Sequence, residues 1–192
     1  MDLPERVTTA LVNARELGFE MSCDPPAGAL LRVLAAAVPP SGRILELGTG
    51  AGVGLSWIVD GLAGRDDVEV VSVEMDPIAG AAAAKLEWPA TVTLVIGDAI
   101  DFIVDPGQWD LIFADAQGGK WERLSDTIRS LRPGAILLVD DMTPAEFVND
   151  EHRTKAAEVR SHLLNSDELT VVEIGWSTGL ILCTRRHPVT SG

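Results

Sequence analysis

Tyrosine is absent from this chain, and aromatic residues make up only 5% of its 192 positions. Cysteine occurs twice, at Cys23 and Cys183, far apart and without metal-type spacing. The pair reads as two reduced, structural thiols, with a single disulfide as the open alternative. Basic residues are also scarce: 15 Lys and Arg stand against 29 Asp and Glu, for a net charge of −14. They are scattered as well, which excludes an unaided binder of phosphate backbones and leaves no nucleic-acid partner to expect. The acidity leans slightly towards small neutral or cationic acceptors without excluding anionic ones. No apolar run reaches the roughly 20 residues that span a bilayer, and no basic region precedes an apolar stretch at the N-terminus. A cytoplasmic protein with no membrane partner is the expectation. Repeats, linkers and low-complexity blocks are missing too, so the length points to one domain over 1–192, with a helical cap over 1–40 and an α/β core over 41–185.

What is present is organised around Arg43 to Leu55, which reads Arg-Ile-Leu-Glu-Leu-Gly-Thr-Gly-Ala-Gly-Val-Gly-Leu. A short apolar run after Pro39-Pro40-Ser41-Gly42 predicts a buried parallel strand, and helical periodicity resumes at Leu55. Between them Gly48, Gly50, Gly52 and Gly54 form a turn whose backbone can approach a ligand at the positive end of a helix. Such glycines also serve dinucleotide folds. Glu46 shifts the balance, because a carboxylate two residues before the first glycine repels a pyrophosphate and suits an ammonium or sulfonium group. The stretch resembles motif I of the class I S-adenosylmethionine (SAM) methyltransferases.

Elsewhere, apolar spacing predicts helices over about 4–17, ending at Gly18, and about 27–38, stopped by Pro39-Pro40. These helices form the cap, free to cover a ligand or to pair with another subunit, which makes a homodimer the expectation. After the glycine turn come a helix (about 52–62), a strand (68–73), an alanine-rich helix (77–86), a strand (92–96), a short helix (99–103) and a strand (109–114). A helix over about 121–130, a strand (135–139) and a polar helix (about 144–164) follow. Alternating strands and helices point to a doubly wound, mostly parallel α/β sheet of seven strands. The runs 170–174 and 180–184 are joined by only Gly175 to Gly179, too few residues for a crossover helix, so they must be antiparallel neighbours. A reversed last strand marks the Rossmann-like methyltransferase sheet, whereas a dinucleotide fold keeps its strands parallel.

Ligands of open α/β sheets bind beyond the carboxyl ends of the strands. The first strand offers Glu46, Thr49 and the glycines. The second ends in Val73-Glu74-Met75-Asp76, where Glu74 can accept both ribose hydroxyls of a nucleoside. The third ends in Gly97-Asp98-Ala99, where Asp98 can reach an adenine amino group or cap the next helix. Asp115 and the pair Asp140-Asp141 end the fourth and fifth strands. Three carboxylates on one rim are costly without a counter-ion, and a divalent cation such as Mg²⁺ would resolve the repulsion. Alternatively, one aspartate pairs with Lys120 or Arg153 and another caps the helix near Pro144. Trp57 and Trp109 suit packing, while Trp88, Trp121 and Trp176 fall near ligand-side loops where an aromatic face could stack on adenine or a planar acceptor. His152 either lines the acceptor pocket or is simply exposed.

Taken in order, Met21 to Gly28, the glycine stretch, Val73 to Asp76, Gly97 to Ala99, Trp109 to Ala116 and Leu131 to Gly134 leading to Val139-Asp140-Asp141 resemble the small cation-dependent O-methyltransferases, a family that includes the catechol and caffeoyl-CoA enzymes. The resemblance implies a metal site at Asp115, Asp140 and Asp141. It implies SAM contacts at Ser22, Glu46, Gly48, Glu74 and Asp98, with Thr49, Gly50, Gly52, Gly54, Met75, Ala99 and Asp115 completing the cofactor site. The implied reaction is transfer of the SAM methyl group to an oxygen of a small hydroxylated acceptor such as a catechol, with Lys120 and Asp115 catalytic and Lys120 the base. Two departures stand out. Position 141 is usually asparagine in that family, and its lysine falls three residues after the first metal aspartate, whereas Gln117-Gly118-Gly119 delays it here to Lys120. The competing readings are a metal-independent methyltransferase acting on nitrogen or carbon, a non-catalytic SAM-binding protein, and a nicotinamide oxidoreductase.

Overall fold

The computed structural model describes residues 2–143 and 149–188. Helices α1 (Glu5–Leu17) and α2 (Pro25–Ala36) precede strand β1 (Arg43–Leu47) and helix α3 (Val53–Gly61). Strand β2 (Glu69–Glu74), helix α4 (Pro77–Ala83), β3 (Val92–Ile96), a 3-10 turn at Ala99–Phe102 and β4 (Trp109–Ala114) follow. The chain then runs through a wound turn at Gln117–Trp121 into α5 (Leu124–Ser130), β5 (Leu131–Val139), α6 (Asp150–Leu164), β6 (Leu169–Ile174) and β7 (Leu180–Arg185). The seven strands form one sheet in the order β3-β2-β1-β4-β5-β7-β6. Strands β1 to β5 pair in parallel, and β7 runs antiparallel to both β5 and β6. This is the doubly wound sheet with a reversed last strand.

The order reverses between β1 and β4, so the crevice beyond their carboxyl ends is where a ligand fits. β1 is central, and Ile44, Leu45, Glu46 and Leu47 are all fully buried. Successive side chains point to opposite faces. Ile44, with Leu111 and Phe113 of β4, joins the apolar cluster under α1, α2 and α3; Leu45 and Leu47, with Ile112 and Ala114, join the cluster under α5 and α6. Glu46 has the parity of Ile44 and so faces α3.

Several boundaries differ from the sequence expectation, each for a local reason. The cap helices pack on the core: α1 and α2 lie against α3, and α1 also touches α4. Gly18 ends α1 at φ 71°, and the segment leading to α2 turns back over the sheet's ligand end. The helix expected from 121 starts only at Leu124, since Arg123 takes φ 62° and Gly118 and Gly119 leave helical geometry before it. Strand β5 reaches back to Leu131, which pairs with Trp109 across an irregularity. The polar helix is described from Asp150, with the Asn149 carboxamide accepting from the His152 N–H at 2.9 Å. Its expected start, 144–148, lies outside the described residues.

Candidate active site

Gly48, Gly50 and Gly52 carry φ of 99°, 53° and 90°, a region that L side chains rarely adopt. The turn is also tight: a Cβ on Gly48 would stand 2.7 Å from the Asp115 carbonyl oxygen. The Gly48 and Thr49 N–H groups donate to the Val73 carbonyl, and the Gly50 N–H donates to Glu74 Oε2 at 2.7 Å. Gly52 has a different task from its neighbours, since it packs against Leu86, Trp88 and Ala83 and does not border the cavity. Gly54 leaves room for the Glu46 carboxylate beneath the first turn of α3.

Beyond the turn lies a cavity of about 670 Å³. Its walls are the glycine loop, Glu74 at the end of β2 and Met75 after it, Ala99, Asp115, and Asp140 with Asp141; residues Phe19 to Asp24 form the opposite side. Two polar atoms here are buried without a hydrogen-bond partner, Ser22 Oγ and Glu46 Oε1. Glu46 Oε2 accepts from the Ser72 hydroxyl, which is itself hydrogen-bonded to Thr49. Burial pushes the Glu46 carboxyl up to about 8; Ser72 opposes the shift, and the charges of Asp115 and Glu74 add to it. An unpaired acid of this kind is costly and is relieved by a cationic ligand.

Glu74 accepts from the Gly50 and Asp76 N–H groups, one on each oxygen, and each oxygen keeps a lone pair for a ligand hydroxyl. Asp98 takes the capping role: its carboxylate accepts from the Ile100 N–H at 2.9 Å and stands outside the cavity wall. Of the tryptophans, Trp57 and Trp109 are buried as expected. Trp88 donates its indole N–H to the Ala83 carbonyl, and neither it nor Trp121 or Trp176 lines the cavity. Both cysteines are unpaired and buried. Burial pushes the Cys23 thiol well up, and nearby carboxylates push it further, so it is a poor nucleophile.

Lys120 meets two of the three rim aspartates. Lys120 is 2% exposed, and its ammonium donates to Asp115 Oδ1 at 3.2 Å and to Asp141 Oδ2 at 2.9 Å. Asp140 Oδ1 instead accepts from the Thr178 hydroxyl and from the Asp141 N–H. Asp141 adopts φ 63°, a left-handed conformation that aspartate tolerates better than most side chains. Burial raises the pKa of Asp115 well above the usual carboxylate range, with Lys120 pulling the other way, and burial also raises that of Asp140. Burial works against the Lys120 ammonium, but Asp115 and Asp141 outweigh it and its pKa is raised.

Lys120 therefore stays charged and sits behind the wall, unlike the base expected from sequence. Nor do the carboxylates converge on a common point: among the described residues no group of three or more His, Cys, Asp or Glu is placed to hold a metal ion. The residues as they stand do not fit the divalent cation expected at Asp115, Asp140 and Asp141. His152 accompanies the rim without lining the cavity, its Nε2 lying 3.1 Å from the Asp141 carbonyl oxygen and its ring edge-on to Trp121. Thr178, which borders the cavity and holds Asp140, carried no signal in the sequence because it lies in the β6–β7 loop, 38 residues further on.

A family model described as a methyltransferase domain matches residues 45–142. A curated relative from Mycobacterium sp. (strain KMS), provisionally named an O-methyltransferase, is 29% identical over 188 residues, covering 90% of this chain and 84% of its own. Among solved structures, a protein from Corynebacterium glutamicum superposes with a TM-score of 0.83 at 18% identity, covering 98% of this chain and 93% of that one. The O-methyltransferase TomG from Streptomyces achromogenes, in complex with SAM, does so with a TM-score of 0.80 at 23% identity, covering 97% and 92%. These structures share the fold.

Proposed function

The chain belongs to the methyltransferase domain family, and from that premise we propose that it is a SAM-dependent O-methyltransferase acting on a small hydroxylated acceptor. The observation that carries the reading is the pair of unpartnered buried atoms, Glu46 Oε1 and Ser22 Oγ, on the wall of a nucleoside-sized cavity. An α-amino acid head group offers an ammonium for the first and hydrogen-bonding groups for the second. A pyrophosphate would meet the Glu46 carboxylate, which disfavours the nicotinamide reading. Glu74 would hold the ribose, with Met75 and Ala99 flanking the base. When bound, SAM supplies a methyl group made electrophilic by its sulfonium.

The chain's own residues supply position and a proton acceptor. Asp115, Asp140 and Asp141 border the cavity, where they can hold an acceptor hydroxyl in place. A carboxylate of this rim, bordering the cavity, takes the hydroxyl proton in the proposed transfer. The named activity of the Mycobacterium relative and of TomG favours oxygen over nitrogen or carbon as the acceptor atom. Catechols and other hydroxylated aromatics are the first acceptors to assay.

Calorimetry with S-adenosylhomocysteine tests the cofactor. The wild type should bind it, and Glu46→Gln should bind about tenfold to a hundredfold more weakly, the loss of one charge-assisted contact. Binding of NAD with no response to S-adenosylhomocysteine would overturn the reading, as would equal affinity in the variant.

A further inference from the structure

The acidic rim already contains a cation. Lys120 Nζ stands 2.9 Å from Asp141 Oδ2 and 3.2 Å from Asp115 Oδ1, and the lysine is 2% exposed. We propose that the Lys120 ammonium is the resident cation of this rim, holding the place a divalent ion would otherwise take, so that methyl transfer here proceeds without a metal. The proposal rests on the O-methyltransferase reading for its reaction but on geometry alone for its cation.

The turn that carries Lys120 is built to send it inward. Gly119 takes φ 87°, and a Cβ there would stand 2.5 Å from Leu47 Cδ1, so glycine lets the loop fold closely against the sheet. Its carbonyl accepts from the Thr127 hydroxyl at 2.8 Å, and its N–H donates to the Glu122 carbonyl at 2.8 Å, which anchors the turn to α5. The ammonium also lies 4.7 Å from the centre of the Trp121 ring. That ring is met edge-on by His152, whose Nε2 is 3.1 Å from the Asp141 carbonyl oxygen. Lys120 is thus enclosed by two carboxylates and an aromatic face.

A magnesium ion needs oxygen ligands at about 2.0–2.1 Å in near-octahedral array. Asp115 and Asp141 instead converge on the lysine nitrogen, and Asp140 Oδ1 is committed to Thr178 and to the Asp141 N–H. Metal entry would have to expel a buried ammonium from between its two partners. Lys120 does not line the cavity, whereas Asp115 and Asp141 do. It is therefore a positioning residue, which neutralises the carboxylates and aims them at the acceptor.

The test titrates Mn²⁺ alone into metal-free protein, followed by electron paramagnetic resonance and calorimetry, for wild type, Lys120→Arg and Lys120→Met. Wild type and Lys120→Arg should bind no stoichiometric Mn²⁺, and wild-type methyl transfer to a catechol should be unchanged by EDTA. Lys120→Met, which removes the ammonium and leaves three carboxylates, should bind one Mn²⁺ at least tenfold more tightly than wild type. Stoichiometric Mn²⁺ on wild type, loss of transfer in EDTA, or a folded Lys120→Met with no gain in Mn²⁺ affinity would each overturn the proposal. If Lys120→Met fails to fold, the wild-type and Lys120→Arg titrations decide alone. Failure of the wild type to bind S-adenosylhomocysteine would remove the methyltransferase reading while the Mn²⁺ titration still reports on the lysine.

Discussion

The residue that decides most is Glu46. It is legible in the sequence as an acid before a glycine turn, but its state is set by burial, which raises its carboxyl from an ordinary 4.5 to about 8. The sign of the effect follows from linkage: an acid whose folded pKa is raised adds stability below its unfolded pKa, and that stability is lost as pH rises through the folded value. The protein without ligand should therefore lose stability between about pH 4.5 and 8, by a few kcal/mol from this group. Glu46→Gln, which cannot ionise, should flatten that part of the profile. Urea midpoints at pH 5 and pH 8 for both proteins check this, and parallel profiles would disprove it. A bound ammonium offsets the loss by pairing with the carboxylate, so affinity for S-adenosylhomocysteine should rise with pH below about 8 in wild type only. Lys120 and Asp98 teach the opposite lesson. The family resemblance implied a base at Lys120, but an inward-folding loop buries it, and of the two roles open to Asp98 the structure shows the helix cap.

At the level of elements, the glycine turn and its helix were readable because their requirements are local. Positive φ and a close backbone approach need glycine whatever surrounds them, and three of the four glycines at Gly48 to Gly54 take positive φ. Gly28 has a reason that only packing supplies. It lies on α2 where that helix crosses α3, and a Cβ there would land on the indole of Trp57, which is 1% exposed. Gly28→Ala should lower the unfolding free energy by about 1–3 kcal/mol through overpacking. Since Gly28 does not border the cavity, affinity for S-adenosylhomocysteine in the folded variant should stay within twofold of wild type. Denaturant unfolding beside ligand titration separates the two, and a loss of affinity without a loss of stability would contradict the packing account. The helix expected from 121 shows why boundaries were less legible: its apolar spacing continues back to Trp121, but Arg123 in a left-handed conformation stops the helix short of it.

Across the whole molecule, the two ends of the sequence close the site together. The loop between β6 and β7 reaches the rim through Thr178, which holds Asp140, and Ser177 donates to the Asp24 carboxylate on the segment before α2. Ser177 and Asp24 are 153 positions apart, and both are exposed polar groups, so their bond adds little to global stability. Ser177→Ala should leave the unfolding free energy within about 1 kcal/mol of wild type while speeding dissociation of S-adenosylhomocysteine, because one tie of residues 19–24 over the cavity is cut. Stopped-flow displacement would show it, and an unchanged off-rate would remove this segment from the role of cover. The sequence by itself determined the alternation of strands and helices, the reversed last strand, the glycine turn and the row of acids at strand ends, since each depends on periodicity, chain length or local dihedral angle. Only the tertiary structure decided how those acids are neutralised, which is a question of which charges lie within about 3 Å of one another. That distance depends on how loops from β4, β5 and β7 fold over a common edge, and no local rule of spacing contains it.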